Sequence, residues 1–157
     1  MSVEPELIIL DEAVSALDVS IQAQVLQLLK ELKEKRNLTY LFITHDLSVV
    51  EYICDRVVVM YLGKIVELAK TEDLFKNTLH PYTKALFSSI PVADLDRKHE
   101  RVVIKGEVPS PANPPSGCAF HPRCSMCESI CREKEPTLKK HSVGGENHLI
   151  ACHLVDV

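Results

Sequence analysis

The sequence lacks an excess of positive charge. Its 157 residues carry 18 lysines and arginines against 22 aspartates and glutamates, which gives a formal net charge of −4 at pH 7. A protein that binds nucleic acid through counterion release needs a basic surface to neutralise phosphates, so this balance argues against that class. We therefore expect no nucleic-acid partner.

Long hydrophobic runs are also missing. The longest, such as residues 57–62 (VVVMYL), are far shorter than the roughly 20 apolar residues that a membrane-spanning helix needs. The acidic first six residues contain no basic n-region, so we expect no secretory signal. With 46% hydrophobic and 25% charged residues, the composition is typical of a soluble globular protein, and we expect a cytoplasmic one.

Strand and helix patterns alternate over the first 70 residues. The apolar periodicity predicts, in chain order, a buried strand at 6–10, a helix at 19–37 that Asp18 caps, a strand at 38–44, a helix at 46–54 and two strands within 56–68 that turn at Gly63. This alternation favours an α/β fold in which helices pack on a mostly parallel sheet.

The pattern changes after residue 69. Two short helices are predicted at 71–77 and 81–90, and a short strand at 102–106. A proline-dense stretch follows at 107–117, which favours extended geometry, and then a cysteine-rich tail. We therefore divide the chain into domains at 1–69 and 70–157, the second small and rich in proline and cysteine.

Two carboxylates stand side by side at the end of the first predicted strand, in residues 7–12 (LIILDE). A parallel strand that ends in Asp11 and Glu12 places both at the carboxyl edge of the sheet, where ligands bind in open α/β folds. One carboxylate can then hold Mg²⁺, usually through water, while the other takes the proton from an attacking water. Nucleotide hydrolysis needs this division of roles. Taken alone, the pattern is equally typical of a solvated turn or a helix cap.

Two further stretches give the carboxylate pair a context. Residues 15–18 (SALD) follow at once, and residues 41–46 (LFITHD) form a second apolar strand that ends near His45. In this order the three stretches resemble the second half of the nucleotide-binding domain of ABC transporters, with its Walker B strand, D-loop and switch histidine. The resemblance implies an incomplete P-loop NTPase domain.

The same resemblance implies roles for individual residues. Asp11 would serve Mg²⁺, Glu12 would be the catalytic base, and His45 would contact the γ-phosphate of ATP, where a donor stabilises developing charge. Ser15 and Asp18 would belong to the D-loop, which lies across the dimer interface of the family. Where the family usually has a proline after the catalytic glutamate, this chain has an alanine, which removes no catalytic group.

The phosphate-cradling loop of such ATPases, G-x-x-x-x-G-K-[ST], is absent from the 157 residues. The glutamine loop and the family signature are absent as well. The chain therefore resembles the carboxyl-terminal portion of a longer ATPase, as an expressed fragment or a truncated reading frame. We expect the chain alone to bind ATP very weakly and not to hydrolyse it, because the backbone amides and the lysine that hold the phosphates are missing.

Five of the six cysteines fall within the last 40 residues, in the pattern Cys118-x5-Cys124-x2-Cys127-x3-Cys131-x20-Cys152. In a reducing cytosol, clustered thiols more often hold a metal than form disulfides. Four thiolates suffice for Zn²⁺ or for an iron–sulfur cluster, and spacing alone does not decide between them. Mixed zinc ligation with the neighbouring histidines His121 and His153 stays open, as do empty or oxidised thiols.

A second resemblance concerns the tail. The stretches "LHPYTKAL" and "GEVPSPANPPSGCAFHPRC" and the terminal "IACH" resemble the carboxyl-terminal extension of the oligopeptide and dipeptide subfamily of ABC ATPases. Members often carry a [4Fe–4S] cluster, and the resemblance implies Cys118, Cys124, Cys131 and Cys152 as its ligands. Cys127 replaces a residue that is usually small and apolar in the family, so we assign it as the spare thiol.

Together the resemblances imply part of an ATP-hydrolysing subunit that powers import of di- or oligopeptides, although related members serve nickel or glutathione. The implied partners are a second ATP-binding subunit, transmembrane permease subunits and, indirectly, an extracytoplasmic peptide-binding protein. The implied location is the cytoplasmic face of the cell membrane. The alternative is a stand-alone regulatory module that binds a metal or an iron–sulfur cluster and keeps remnants of an ATPase. A zinc-dependent enzyme is weaker, because clustered thiols suit a closed structural site.

Overall fold

The computed structural model describes residues 4–89, 102–141 and 147–155. It divides into two compact units, Met1–Cys54 and Asp55–Val157. The α/β class predicted from the sequence is confirmed, since both units combine strands with helices. Within the described ranges, no helix has both the length and the apolar character needed to cross a membrane.

The first unit contains two strands and two helices. Its elements in order are β1 (Leu7–Asp11), α1 (Val19–Arg36), β2 (Thr39–Ile43) and α2 (Leu47–Ile53). The two strands pair in parallel, with a register that runs from Leu7 opposite Thr39 to Asp11 opposite Ile43. As predicted, Asp18 caps α1: its carboxylate accepts from the backbone N–H groups of Ser20 and Ile21 at 3.1 and 3.0 Å.

The core of the first unit is centred on four buried side chains. They come from the loop after β1, from α1 and from α2, and are Val14, Leu26, Val49 and Ile53. On α1, Leu26 is buried and Val25 and Leu29 are partly buried against it, whereas Ile21 and Leu28 are exposed.

One face of the β1–β2 sheet is open. The side chains on this face alternate with half-buried neighbours and keep about half of their surface exposed: Leu7 54%, Ile9 61%, Leu41 50% and Ile43 47%. The sequence predicted a fully buried β1, whereas in the structure only Ile8 and Leu10 are partly covered. A contiguous apolar face of this kind is typical of an association surface.

We expect the purified chain to self-associate through this open face, because paired apolar faces remove surface from water. Replacing Ile9 and Leu41 with lysine should shift the chain toward monomer in light scattering coupled to size-exclusion chromatography. The double variant Val19→Lys/Leu28→Lys is the matched control, since it places the same two charges at exposed apolar residues on α1. A monodisperse wild-type monomer would contradict the prediction.

The second unit contains a four-stranded antiparallel sheet. Its elements are β3 (Arg56–Tyr61), β4 (Lys64–Lys70), α3 (Thr71–Lys76), α4 (Pro81–Ser88), a 3₁₀ turn (His121–Arg123), α5 (Ser129–Glu133), β5 (Lys139–Lys140) and β6 (Leu149–Ile150). The strand order is β3-β4-β6-β5, and every pairing is antiparallel. The prediction of a mostly parallel sheet was therefore wrong for this unit, although β1 and β2 obey it.

The antiparallel arrangement follows from a two-residue turn. Leu62 and Gly63 both have positive φ, 46° and 75°, which is the backbone of the tight hairpin turns that match the twist of two strands. β4 then pairs with β6 from the chain's tail. This pairing explains why β3 and β4 belong to the second compact unit, which begins after Cys54. The domain boundary near residue 70 stays a prediction.

The helices predicted after residue 70 are confirmed in α3 and α4, and Pro81 occupies the first turn of α4 as expected. The predicted strand at 102–106 was wrong, because residues 102–105 have no strand partner in the described part of the chain. An apolar run alone does not form a strand when no sheet edge is available to its backbone.

Candidate functional site

The first candidate site lies where β1 and β2 end. Asp11 is the last residue of β1 and pairs in register with Ile43. The backbone N–H of Glu12 donates to the carbonyl of Ile43 at 2.9 Å, and Glu12 then leaves the strand with a φ of 46°. A non-glycine residue in this left-handed region is uncommon and is often found at functional sites. Both carboxylates therefore stand at the carboxyl edge of the parallel pair, as the sequence predicted.

His45 lies beside Glu12 although 33 residues separate them in the chain. Its Nδ1 is 3.4 Å from the Oε1 of Glu12, and both side chains are largely exposed. A contact this open to water contributes little to stability. The arrangement leaves a carboxylate and an imidazole facing solvent at one sheet edge. In hydrolysis of a bound phosphate, the carboxylate could accept a proton from water and the imidazole could donate a hydrogen bond to the anion.

Ser15 and Asp18 take local backbone roles. The Ser15 hydroxyl donates to the carbonyl of Glu12 at 2.9 Å and steadies the turn that carries Glu12. Asp18 caps α1 and lies on the surface. Their predicted place at a dimer interface stays a prediction.

Asp46 supports the loop that carries His45, and the sequence reasoning missed it. Its carboxylate accepts from the N–H groups of Ser48 and Val49 and from the side-chain amide of Gln22 on α1. Partial burial opposes ionisation, but the hydrogen bonds of Gln22 and the helix N–H groups outweigh it, so the pKa of Asp46 lies below its ordinary value. An aspartate directly before an apolar helix was the available signal.

The second candidate site is a cavity in the second unit that four cysteines line. Their side chains meet three histidines and three apolar side chains there, and the full lining is His80, Pro81, Cys118, Phe120, His121, Cys124, Cys131, Cys152, His153 and Leu154. These are the four cysteines assigned as ligands from the sequence. Cys127 lines a separate surface depression beside α5. The cysteines that the structure describes form no disulfide.

Burial changes the acidity of two cavity thiols. It raises the pKa of Cys118 and of Cys124 above the ordinary value, and neighbouring cysteines raise it further. Across the described ranges, no three histidine, cysteine or carboxylate side chains converge closely enough to hold a single metal ion. The cavity therefore gathers soft donors without the tight spacing that one ion demands.

Gly117 brings two parts of the cysteine cavity together. It has a φ of 67°, and a Cβ built on it would lie 2.5 Å from the carbonyl oxygen of Cys131 and 2.8 Å from that of Arg132. The next residue, Cys118, donates its backbone N–H to the carbonyl of Cys131 at 2.8 Å. Only glycine allows this approach, which holds Cys118 against the carboxyl-terminal half of α5.

Gly117→Ala should destabilise the second unit by about 3 kcal/mol or more, because the methyl group meets backbone that cannot move aside. Gly106→Ala is the matched control: it has the same left-handed backbone, with a φ of 79°, but open space around the Cβ. Its cost should be about 1–2 kcal/mol. Chemical unfolding followed by circular dichroism measures both, and equal costs would show that the close approach is unimportant.

His80 forms part of the cavity wall, and the sequence did not single it out. It is buried, and its Nδ1 accepts from the backbone N–H of Tyr82, which caps α4. Burial lowers its pKa to about 4, so the ring is neutral near pH 7. The rings of Tyr61 and Tyr82 pack against Phe120, with centroids 5.2 and 5.4 Å away, and complete an aromatic wall.

Comparison with known proteins gives consistent matches. A family model described as "Oligopeptide/dipeptide transporter, C-terminal region" matches residues 66–131. The chain is 58% identical over 156 residues to oligopeptide transport ATP-binding protein AppF of Bacillus subtilis (strain 168), an alignment that covers 98% of this chain and 46% of that protein. It is 50% identical over 156 residues to dipeptide transport ATP-binding protein DppF of Haemophilus influenzae, covering 99% and 47%. The chain thus spans about half the length of these relatives.

Proposed function

We propose that this chain carries the residues that activate water in the nucleotide site of an ABC transporter. The premise is that the chain belongs with the carboxyl-terminal part of the ATP-binding subunits of oligopeptide and dipeptide ABC transporters. One observation carries the proposal. Glu12 and His45 come together, with 3.4 Å between Oε1 and Nδ1, at the edge where the parallel strands β1 and β2 end.

Each residue has a task that its position supports. Asp11, the last residue of β1, is placed to hold Mg²⁺ through water. Glu12 is placed to accept a proton from the water that attacks the terminal phosphate, and His45 to donate to that phosphate as charge develops. The exposure of both Glu12 and His45 leaves them open to a nucleotide. In the Bacillus subtilis relative, of which this chain covers 46%, we expect the remaining contacts of the nucleotide in the part that this chain does not match.

The test is ATP hydrolysis by a chimera. It joins the part of the Bacillus subtilis relative that this chain does not match to the whole of this chain. Hydrolysis that depends on Glu12 supports the proposal, and hydrolysis that survives Glu12→Gln contradicts it. The chain alone should release no phosphate above background.

The wider assignment follows from the relatives and is also a proposal. Both are ATP-binding proteins of peptide transport by name. We infer that the complete protein acts at the inner face of the cell membrane, with a second ATP-binding subunit and transmembrane permease subunits, and indirectly with a peptide-binding protein outside. Ser15 and Asp18 would face the second ATP-binding subunit.

The cysteine cavity supports a second role, the binding of a [4Fe–4S] cluster by Cys118, Cys124, Cys131 and Cys152. The donor set fits: four thiols line the cavity together with three imidazoles and three apolar side chains, and thiolates suit a soft centre. Zinc is the other soft centre that such a donor set could hold, and metal content after loading separates the two.

When bound, a cluster would supply four metal–thiolate bonds that tie Cys152 to the segment from Cys118 to Cys131. Loading would displace the thiol protons of Cys118 and Cys124. A stand-alone cluster-binding module is the alternative function, and it would show cluster binding without any hydrolysis in the chimera.

A further inference from the structure

A glutamate and a histidine form a fully buried pair in the second unit, and neither belongs to the sites above. Glu67 lies on β4 and His148 lies just before β6. The Nε2 of His148 is 2.7 Å from the Oε1 of Glu67, and both side chains are 0% exposed. A buried carboxylate is costly unless its oxygens are satisfied, so an arrangement of this kind is retained only where the surrounding contacts support it.

The carboxylate of Glu67 collects three donors. Besides His148, it accepts from the backbone N–H of Leu79 at 2.8 Å and from that of His80 at 3.2 Å. Since those backbone groups can only donate, the carboxylate of Glu67 accepts from both. Among the residues that the structure describes, the Nδ1 of His148 is buried and has no hydrogen-bond partner, so Glu67 is the contact that this ring makes through its nitrogens. The pair thus joins β4, the start of α4 and the entry to β6.

β6 is very short, with only Leu149 and Ile150 in its ladders. These residues pair with Leu68 and Glu67 on β4 and with Lys140 and Lys139 on β5, and the N–H of Ala151 extends the first ladder with a 2.9 Å bond to the carbonyl of Val66. With so few ladder residues on either side, a buried side-chain pair adds a further constraint on the register. Side chains alternate along an extended strand, so His148, Ile150 and Cys152 share one face. A slip of one residue would turn Cys152 away from the cavity that it lines.

We propose that the Glu67–His148 pair fixes the register of β6 and so positions Cys152 in the cysteine cavity. The two side chains are positioning residues, since neither lines the cavity itself. This inference concerns the same site as the proposed cluster and deepens that role. It concerns geometry that exists before any metal binds, and a metal-free measurement tests it separately.

The experiment compares cysteine reactivity in the metal-free full chain. His148→Ala should speed alkylation of Cys152 by iodoacetamide about tenfold, read by mass spectrometry, while Cys118, Cys124 and Cys131 keep their wild-type rates. Hydrogen exchange at the amide of Ala151 should accelerate with it. His148→Gln should restore both readouts, because a glutamine amide places a donor near the position of Nε2. Glu72→Gln, at an exposed carboxylate of α3, is the control and should change nothing.

Two results would overturn the proposal. An unchanged Cys152 rate in His148→Ala would show that β6 keeps its register without the pair. An equal rise at all four cysteines would show that the pair supports the whole unit rather than one strand. Anaerobic loading with ferrous iron and sulfide then separates the two ideas: a wild-type chain that takes up no iron refutes the cluster, while a selective effect on Cys152 still supports the positioning role.

Discussion

Replacing Cys131 with serine should abolish the visible charge-transfer absorbance of the chain after anaerobic loading with ferrous iron and sulfide. The reason is that each of the four cavity cysteines would hold one iron of the cluster, so the loss of Cys131 leaves one iron without its protein ligand. Cys131 is also the most buried of the five tail cysteines, which leaves water or serine a poor substitute. Bound iron should fall from about four per chain to near zero.

Cys127→Ser is the matched control for the cluster. It removes a thiol only four residues away that lies outside the cavity, and it should leave both absorbance and iron content unchanged. A wild-type chain that takes up one zinc ion and no iron would refute the cluster. Equal losses in both variants would show that the ligand set is different from the one proposed.

Glu12→Gln in the chimera with the Bacillus subtilis relative should lower ATP hydrolysis by about 100-fold or more. The amide cannot accept the proton from the attacking water, and the contribution of a positioned general base is of this order. Binding of ATP should persist, because the substitution keeps the size of the side chain and removes a negative charge near the phosphates. Steady-state phosphate release and nucleotide binding, measured on the same preparations, separate the two effects.

Glu31→Gln is the control for this experiment. Glu31 is a surface carboxylate of α1 in the same unit, where it pairs with Lys35, and its loss should change hydrolysis by less than about twofold. His45→Ala should reduce hydrolysis in the same direction as Glu12→Gln. Full activity in His45→Ala would contradict the role assigned to the Glu12–His45 contact.

The features that the sequence predicted well are local or depend on short spacing. The cap at Asp18 and the helix after it follow from a side chain and the next few N–H groups. The edge that brings Glu12 and His45 together follows from two strands of similar length joined by one helix. The four cavity cysteines were reached by resemblance, since spacing alone left the metal undecided.

The features that the sequence did not predict depend on partners far along the chain. Glu67 contacts His148, which lies 81 residues away in the chain, and no sequence pattern around either residue predicts the contact. The antiparallel sheet depends on the tail returning to β4, which apolar runs cannot show. The continuous apolar run of β1 predicts a buried strand but does not say which layers this chain itself provides, and one face of the β1–β2 sheet is open.

The aromatic wall of the cysteine cavity has a spectroscopic consequence. The sequence contains four tyrosines and no tryptophan, so ultraviolet-excited emission comes from tyrosine alone. Tyr61 and Tyr82 pack within 5.5 Å of Phe120, which lines the cavity, and within 4.8 Å of each other. A coloured centre beside them would absorb their emitted light, while Tyr40 and Tyr52 belong to the other compact unit. A fall in tyrosine fluorescence would therefore report loading of the cavity without any attached dye.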